Sequence, residues 1–483
     1  MQGDAGVDEA SRRKLLKRLR KILGSENVLD DEYIVSIYSR NAAGMSSNAL
    51  AVVFPSSVEQ VSSIVRLAYS ENIPLYPQGS ATELTGSSIP SEGGLVVSFQ
   101  NMNRIKETSV VDGYVVAEPG VILRELDSHL SQHGYMFPVD PASIRAATVG
   151  GAVNTGAGGM RGAKYGTMRE WVMGLQIVLP DEEGTIMRIG CRTAKCRQGY
   201  DLVRLIVGSE GTLALVTEAT LRITPIPENT VTLLGFYEEL EDLVNTVIGV
   251  KENRLSPYIM EFIDAETVDI TIKAGGSRIK GEGHALIVSL DVPPEASSRY
   301  AGILRSIMES NNTSQIHVAE NTDQAEKLGL FDIRRGFHPA TVKLAAEASK
   351  HSKGRILVYV EDIAVPPSRL AEAIRRIRRT SDEMNIPLSL AGHAGDGNIH
   401  PVTWFDTGDP ESKERVERWV REIMRIAVEL GGTVSSEHGI GSSKKEGLRM
   451  ELEAIGGLKA LELMRRIKGI FDPKGILNPG KVV

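Results

Sequence analysis

Pro77-Gln78-Gly79-Ser80-Ala81-Thr82-Glu83-Leu84-Thr85-Gly86-Ser87-Ser88 follows a short apolar run, Ile73 to Tyr76, that reads as a strand. Small side chains fill almost every position of this loop, with hydroxyls between them. Small residues let backbone N–H groups approach a ligand closely, and a run of such amides makes an anion-binding concavity. Taken alone, the loop is equally a plain flexible turn. Just before it, Ser57 opens a helix with Gln60 three residues on, a capping-box pattern. Val58, Val61, Ile64, Val65 and Ala68 make the buried face of that helix. Further on come two more glycine-rich joints. One runs from Phe137-Pro138-Val139-Asp140-Pro141 through Thr148-Val149-Gly150-Gly151-Ala152-Val153-Asn154-Thr155-Gly156-Ala157-Gly158-Gly159; the other is Val207-Gly208-Ser209-Glu210-Gly211-Thr212. A strong strand, Trp171 to Leu179, lies between them. Such regular placement points to a large ligand lying along an α/β domain. Neither the Rossmann nor the Walker glycine pattern occurs, so a phosphate here is not held in a nicotinamide or P-loop manner.

The 483 residues exceed one ordinary core, and two domains are expected. Hydrophobic and charged contents of 41% and 24% are those of a globular protein. A net charge of -7 argues against nucleic acid as the main partner. No apolar run approaches the roughly 18 residues of a membrane span, and the start lacks a signal-peptide core. The spacing of Cys191 and Cys196 is that of no zinc finger or iron–sulfur site, and both read as incidental thiols in a reducing cytosol. Ser11 to Leu23 is an amphipathic basic helix. Packing of its leucine stripe on its own domain is the plainer reading, with a membrane surface or a partner as the alternative.

Near the end, Gly392-His393-Ala394-Gly395-Asp396-Gly397-Asn398-Ile399-His400 reads as a hairpin, and Asp-Gly is the strongest short signal for a two-residue type I′ turn. With Asp396 and Gly397 as the turn, His393 and His400 oppose each other on one face, with Cβ atoms roughly 5 Å apart. Two imidazoles so placed can grip one ion. Histidines that merely pair across strands are the bland alternative. Ser436-Glu437-His438-Gly439-Ile440-Gly441 adds a carboxylate and a third imidazole, usable in one pocket only if the chain turns there.

On these motifs, with Lys164-Tyr165-Gly166 and terminal Asn478-Pro479-Gly480-Lys481, the chain resembles the flavin-dependent 2-hydroxy-acid dehydrogenases of the vanillyl-alcohol-oxidase type. It looks most like the glycolate oxidase large subunit, D-lactate dehydrogenase and D-2-hydroxyglutarate dehydrogenase group. The resemblance covers about Tyr38 to Val483. It implies an α+β, two-domain flavoprotein: a helical segment at 1–45, an FAD-binding domain of the vanillyl-alcohol-oxidase (PCMH) type at 46–227, and a substrate or cap domain at 228–483. That last domain would carry an antiparallel sheet flanked by helices, its final residues returning to the flavin. The resemblance further implies that Pro77, Gly79, Ser80, Ala81, Thr82, Gly86, Ser87, Pro141, Thr148, Gly151, Asn154, Thr155, Gly158, Gly159, Glu210, Val216 and Asn478 hold FAD. Gln78 departs from a common arginine, and Ser87-Ser88 from a common Gly-Gly. No histidine stands where related flavoproteins attach the ring, which makes the FAD non-covalent.

Oxidising a 2-hydroxy acid removes a hydride from Cα and a proton from the hydroxyl, so the protein must supply orientation and a base. His438 is the expected base. His393, His400 and Glu437 make a two-histidine, one-carboxylate set for a divalent metal, zinc before iron or manganese. Arg334, in Phe331-Asp332-Ile333-Arg334-Arg335-Gly336-Phe337, is the expected fork for the substrate carboxylate, the family resemblance pointing to it. Val360 and Val402 favour a small or apolar substrate tail, lactate or glycolate, over 2-hydroxyglutarate. The electrons would leave to a quinone, a cytochrome or an electron-transfer flavoprotein. A non-redox role like that of the alkyl-dihydroxyacetone-phosphate synthases and a non-catalytic flavin subunit are the competing readings. A cytoplasmic setting is expected, with a peripheral seat at a membrane and a homodimer left open.

Overall fold

The computed structural model describes residues 9–91 and 93–483, apart from the side chain of His351. The reading of the chain's start therefore rests partly on residues outside those described. Two compact units emerge. The first gathers residues 1–158, 167–226 and 437–483; the second comprises 159–166 and 227–436.

In the first unit, strands Val28–Leu29, Ala51–Val53, Leu95–Ser98 and Leu75–Gln78 form one sheet in that order. Ala51–Val53 and Leu75–Gln78 both run parallel to Leu95–Ser98, and helix Val58–Glu71 makes the crossover between them. Ser57 caps that helix by accepting the Gln60 N–H. The Gln60 side chain reaches back to Ser56 N–H at 2.8 Å, one residue short of an ideal box. Leu15, Leu16, Leu19 and Leu23 of helix Glu9–Leu23 lie in the same apolar cluster as Val61, Ile64, Val65 and Ala68. The leucine stripe is thus consumed by its own domain. A second, antiparallel sheet orders Ile105–Ser109, Tyr114–Ala117, Leu215–Arg222, Val172–Val178 and Ile186–Gly190. The chain's end returns to this unit: Leu75 N–H bonds Ile476 O, and Asn478 N–H bonds Leu75 O, both at 2.8 Å.

One reading is corrected here. Cys191 and Cys196 are joined as a disulfide, with Cα atoms 5.9 Å apart, so they are not independent thiols and are no argument for a reducing compartment. A short exposed loop folds back far enough to bring the pair together.

The second unit is an eight-stranded antiparallel sheet. Its main path is Gln315–Ala319, Thr230–Tyr237, His284–Asp291, Ile259–Ile263, Ser389–His393, Asn398–Asp406 and Ile356–Val360, with Ile363–Ala364 also pairing Asn398–Asp406. Helices Leu240–Glu252, Ser297–Ser310, Leu370–Glu383 and Pro410–Glu429 cover one face. Ala265–Lys273, Thr322–Leu328 and Asp332–Ala348 cover the other. Strand alternation sends Met260 and Phe262 to the first layer and leaves Glu261 facing the second.

Candidate active site

The first unit carries a cleft of about 190 Å³, and all three glycine-rich joints line it. Of the residues expected to hold the cofactor, Pro77, Gly79, Ser80, Ala81, Thr82, Ser87, Pro141, Thr148, Gly151, Asn154, Thr155, Gly158, Glu210 and Val216 are on its walls. Gly86 and Asn478 stand behind the wall, and Gly159 belongs to the second unit. Glu437 and His438 also line this cleft. They can do so together because the chain bends there, with Gly439 and Gly441 at φ +83 and +53.

The loop after Gln78 owes its shape to Glu83, whose role the sequence reading missed. Its carboxylate accepts the N–H groups of Thr85, Gly86 and Ser88 and the amide of Asn41. An acidic residue inside a loop of small residues was the signal for it. Gln78 turns inward to Tyr38 O. Close approach explains Gly79: a Cβ there would lie 2.2 Å from Thr148 Oγ1. Thr148 in turn caps helix Val149–Thr155 by accepting Gly151 N–H at 3.2 Å. Asn478 donates to both Ser87 O and Glu210 O, tying the first loop to the third from behind. Glu210 is buried, and its carboxylate accepts Ile440 N–H at 2.6 Å and Gly441 N–H at 2.7 Å. Burial pushes its pKa up to about 7, the two amides opposing the shift.

In the second unit the hairpin carries His393 and His400 in a different register from the expected one. Ala391 pairs with His400 and His393 with Asn398, so the loop is four residues long. A type I′ turn needs positive φ at both central residues, and only Gly397, at +85, has it. Asp396 instead uses its carboxylate to accept Asn398 N–H. A shift of two residues preserves the face, so the imidazoles are diagonal neighbours with centroids 5.2 Å apart.

Each ring turns Nδ1 toward a carboxylate. His393 Nδ1 lies 2.6 Å from Glu261 Oε1, and His400 Nδ1 lies 3.9 Å from Asp362 Oδ1. Glu261 is fully buried, and its other oxygen takes Arg334 Nε at 2.6 Å. The Arg334 guanidinium also stacks on Phe337, 4.9 Å from the ring centroid. Asp362 is held by Asn398 Nδ2, Ser435 Oγ and Ser436 N–H. Sequence reading missed Glu261 and Asp362. A lone glutamate inside Ile-Met-Glu-Phe-Ile was the available signal, since a charge there must find buried partners. Val402 is buried in the apolar cluster against which Val360 packs.

Residues 49–190 match the model of the FAD binding domain, and residues 226–482 match that of the FAD linked oxidases, C-terminal domain. The chain belongs to the FAD-linked oxidases. This FAD-linked oxidase is 34% identical over 96% of both chains to the glycolate oxidase subunit GlcD of Bacillus subtilis. It is 36% identical to the D-lactate dehydrogenase of Archaeoglobus fulgidus, over 91% of this chain and 93% of that one. Against the mitochondrial D-lactate dehydrogenase [cytochrome] of Arabidopsis thaliana the identity is 32%, over 98% and 80%. In fold it is similar to 4-ethylphenol oxidase from Gulosibacter chungangensis, with TM-score 0.79, 20% identity and coverage of 99% and 98%. It is likewise similar to p-cresol methylhydroxylase, with TM-score 0.76, 17% identity and coverage of 99% and 97%.

The residues of the first unit fit FAD. The cleft walls are too close for side chains at Gly79 and Gly150, where a Cβ would sit 2.5 Å from Pro119 Cβ. Asn154 Oδ1 is buried on the wall with no hydrogen-bond donor from the protein. A ligand that donates there would satisfy it.

Proposed function

We propose that this FAD-linked oxidase oxidises a small D-2-hydroxy acid, D-lactate or glycolate, to the 2-oxo acid. The observation that carries the reading is the single cleft shared by the three glycine-rich joints and by Glu437 and His438. The names of the relatives, glycolate oxidase subunit and D-lactate dehydrogenase, agree with it. FAD, held without a covalent link, supplies the hydride acceptor when bound.

The chain's own residues do the rest. His438 takes the hydroxyl proton as general base. Arg334 takes the substrate carboxylate; Glu261 fixes its Nε and so points the remaining guanidinium nitrogens. His393, His400 and Glu437 would hold a divalent ion, zinc, and such an ion would supply a lowered pKa to a bound hydroxyl. Support comes from Glu261, which lies 2.6 Å from Nδ1 of His393 and leaves its Nε2 as the metal-binding nitrogen. Val360 and Val402 speak for a short apolar tail. Electrons then pass to an external acceptor; two relatives carry "cytochrome" in their names. Among the described residues no helix is long and apolar enough to cross a membrane.

Anaerobic stopped-flow bleaching of the flavin tests this reading. D-lactate or glycolate should reduce it faster than D-2-hydroxyglutarate. His438→Ala should keep its FAD and metal yet reduce flavin roughly 10²–10⁴ more slowly, mainly in the chemical step. A rate within a few-fold of the parent at saturating substrate would remove His438 from the base role. Elemental analysis should find about one divalent ion per chain and its loss in His393→Ala and His400→Ala. Unchanged metal in both variants would take the hairpin out of the site.

A further inference from the structure

Cys191 and Cys196 are the chain's two cysteines, and the sulfurs they join stand in different settings. Cys191 directly follows strand Ile186–Gly190 and donates its N–H to Met173 O at 3.1 Å, which fixes it to the second sheet of the first unit. Cys196 lies in the stretch 192–200, exposed throughout. Among the described residues no hydrogen bond or ion pair holds 196–199, so the disulfide is their tie to the sheet. Charge is one-sided as well: from 191 to 200 stand Arg192, Lys195 and Arg197 and no acidic residue. Arg192 pairs with Glu107 at 2.8 Å. Lys195 and Arg197, which bracket Cys196, make no ion pair among the described residues. Beyond the loop, Asp201 caps helix Leu202–Ile206 by accepting Arg204 N–H, and Val203 of that helix comes close to Gly190. The third glycine-rich joint follows at once, Gly208 N–H and Glu210 N–H bonding Val153 O and Asn154 O at 2.9 and 2.7 Å.

We infer that Cys191 and Cys196 are a reversible exchange site for an external thiol, and that their state sets how fast the third joint lets the cofactor go. An exposed disulfide beside unpaired cations is open to exchange, because a thiolate can reach the sulfur and cations stabilise the thiolates that attack and leave. An external thiolate attacks Cys196 Sγ from the solvent side. The new S–S bond is a mixed disulfide, and Cys191 leaves as a thiolate that takes a proton from water. A second external thiolate then attacks the outer sulfur of the mixed disulfide and releases Cys196. Two electrons have passed to the protein, and the two external thiols leave as their own disulfide. An external disulfide reverses each step. Reduction lengthens the untied approach to the helix from four residues, 197–200, to nine, 192–200. The 3/2-power fall in closure probability makes docking of the helix and joint about threefold weaker. Cofactor leaves through the undocked state, so its release quickens by the same factor.

Equilibration of the FAD-loaded full chain in glutathione buffers of graded reduced-to-oxidised ratio tests it. No substrate is present, so the outcome is independent of the reaction proposed above. Free thiols should rise from none to both cysteines across the series and vanish again on return to the oxidised buffer. FAD release after dilution should be about threefold faster from the reduced protein than from the oxidised one. The combined variant Cys191→Ser with Cys196→Ser should release FAD at the reduced rate whatever the buffer. A pair that yields thiols only after denaturation would overturn the exchange site. One release rate for both states of the parent, a comparison that needs no variant, would overturn the control of the cofactor. Release from the double serine variant that still follows the buffer would also overturn it, because the response would then lie elsewhere in the chain.

Discussion

Glu210 sits in the first unit 4% exposed, with backbone φ +54 and a carboxylate clasped by the N–H groups of Ile440 and Gly441. Desolvation raises its pKa from 4.5 to about 7. The folded state therefore binds this proton more tightly than the unfolded state does. Stability of the apoprotein should fall as pH rises from about 4.5 to about 7 and level off above, by on the order of 3 kcal/mol from this group. Glu210→Gln should flatten that slope in chemical denaturation at a series of pH values; an unchanged slope would assign it elsewhere. Asn478 is a second residue with more than one task. Asn478→Ala strips the donors from Ser87 O and Glu210 O, and should cost the apoprotein about 1–3 kcal/mol and lower its FAD occupancy. Neither role was legible in composition, although both residues stood within recognisable motifs.

The hairpin shows what an element's sequence does and does not decide. Alternation placed both histidines on one face, and parity survives a two-residue slip. The register itself was set elsewhere: strand Ile363–Ala364 pairs with Asn398 and Ile399, and Gly397 packs so tightly that a Cβ would lie 1.9 Å from Val365 O. Gly397→Ala should therefore destabilise the protein by more than 1 kcal/mol, through both the clash and its φ of +85. The loops of the first unit invite a coupled test. Gly79→Ala should lose FAD because its Cβ meets Thr148 Oγ1. Combined with Thr148→Ala, which by itself costs roughly 1 kcal/mol of capping, it should regain cofactor relative to Gly79→Ala alone. Flavin absorbance of the purified variants reads this directly, and simple additivity would mean that the two loops do not meet.

For the whole molecule, much was readable from local pattern. Side-chain size marked the three cofactor joints, period 3.6 marked the buried face of the helix that Ser57 opens, and the leucine spacing of the first helix marked a face its own domain would cover. These features depend on residues near one another in the chain, so a sequence determines them unaided. Tertiary structure alone decided which distant residues serve them. It returned residues 437–483 to the first unit, bringing Glu437 and His438 to a cleft built almost entirely before residue 217. It seated Glu261 between His393 and Arg334, partners 132 and 73 residues away. It also closed Cys191 on Cys196. A buried carboxylate must find compensating donors wherever the packed chain offers them, and the packing of the whole fold, which no local pattern records, selects those donors.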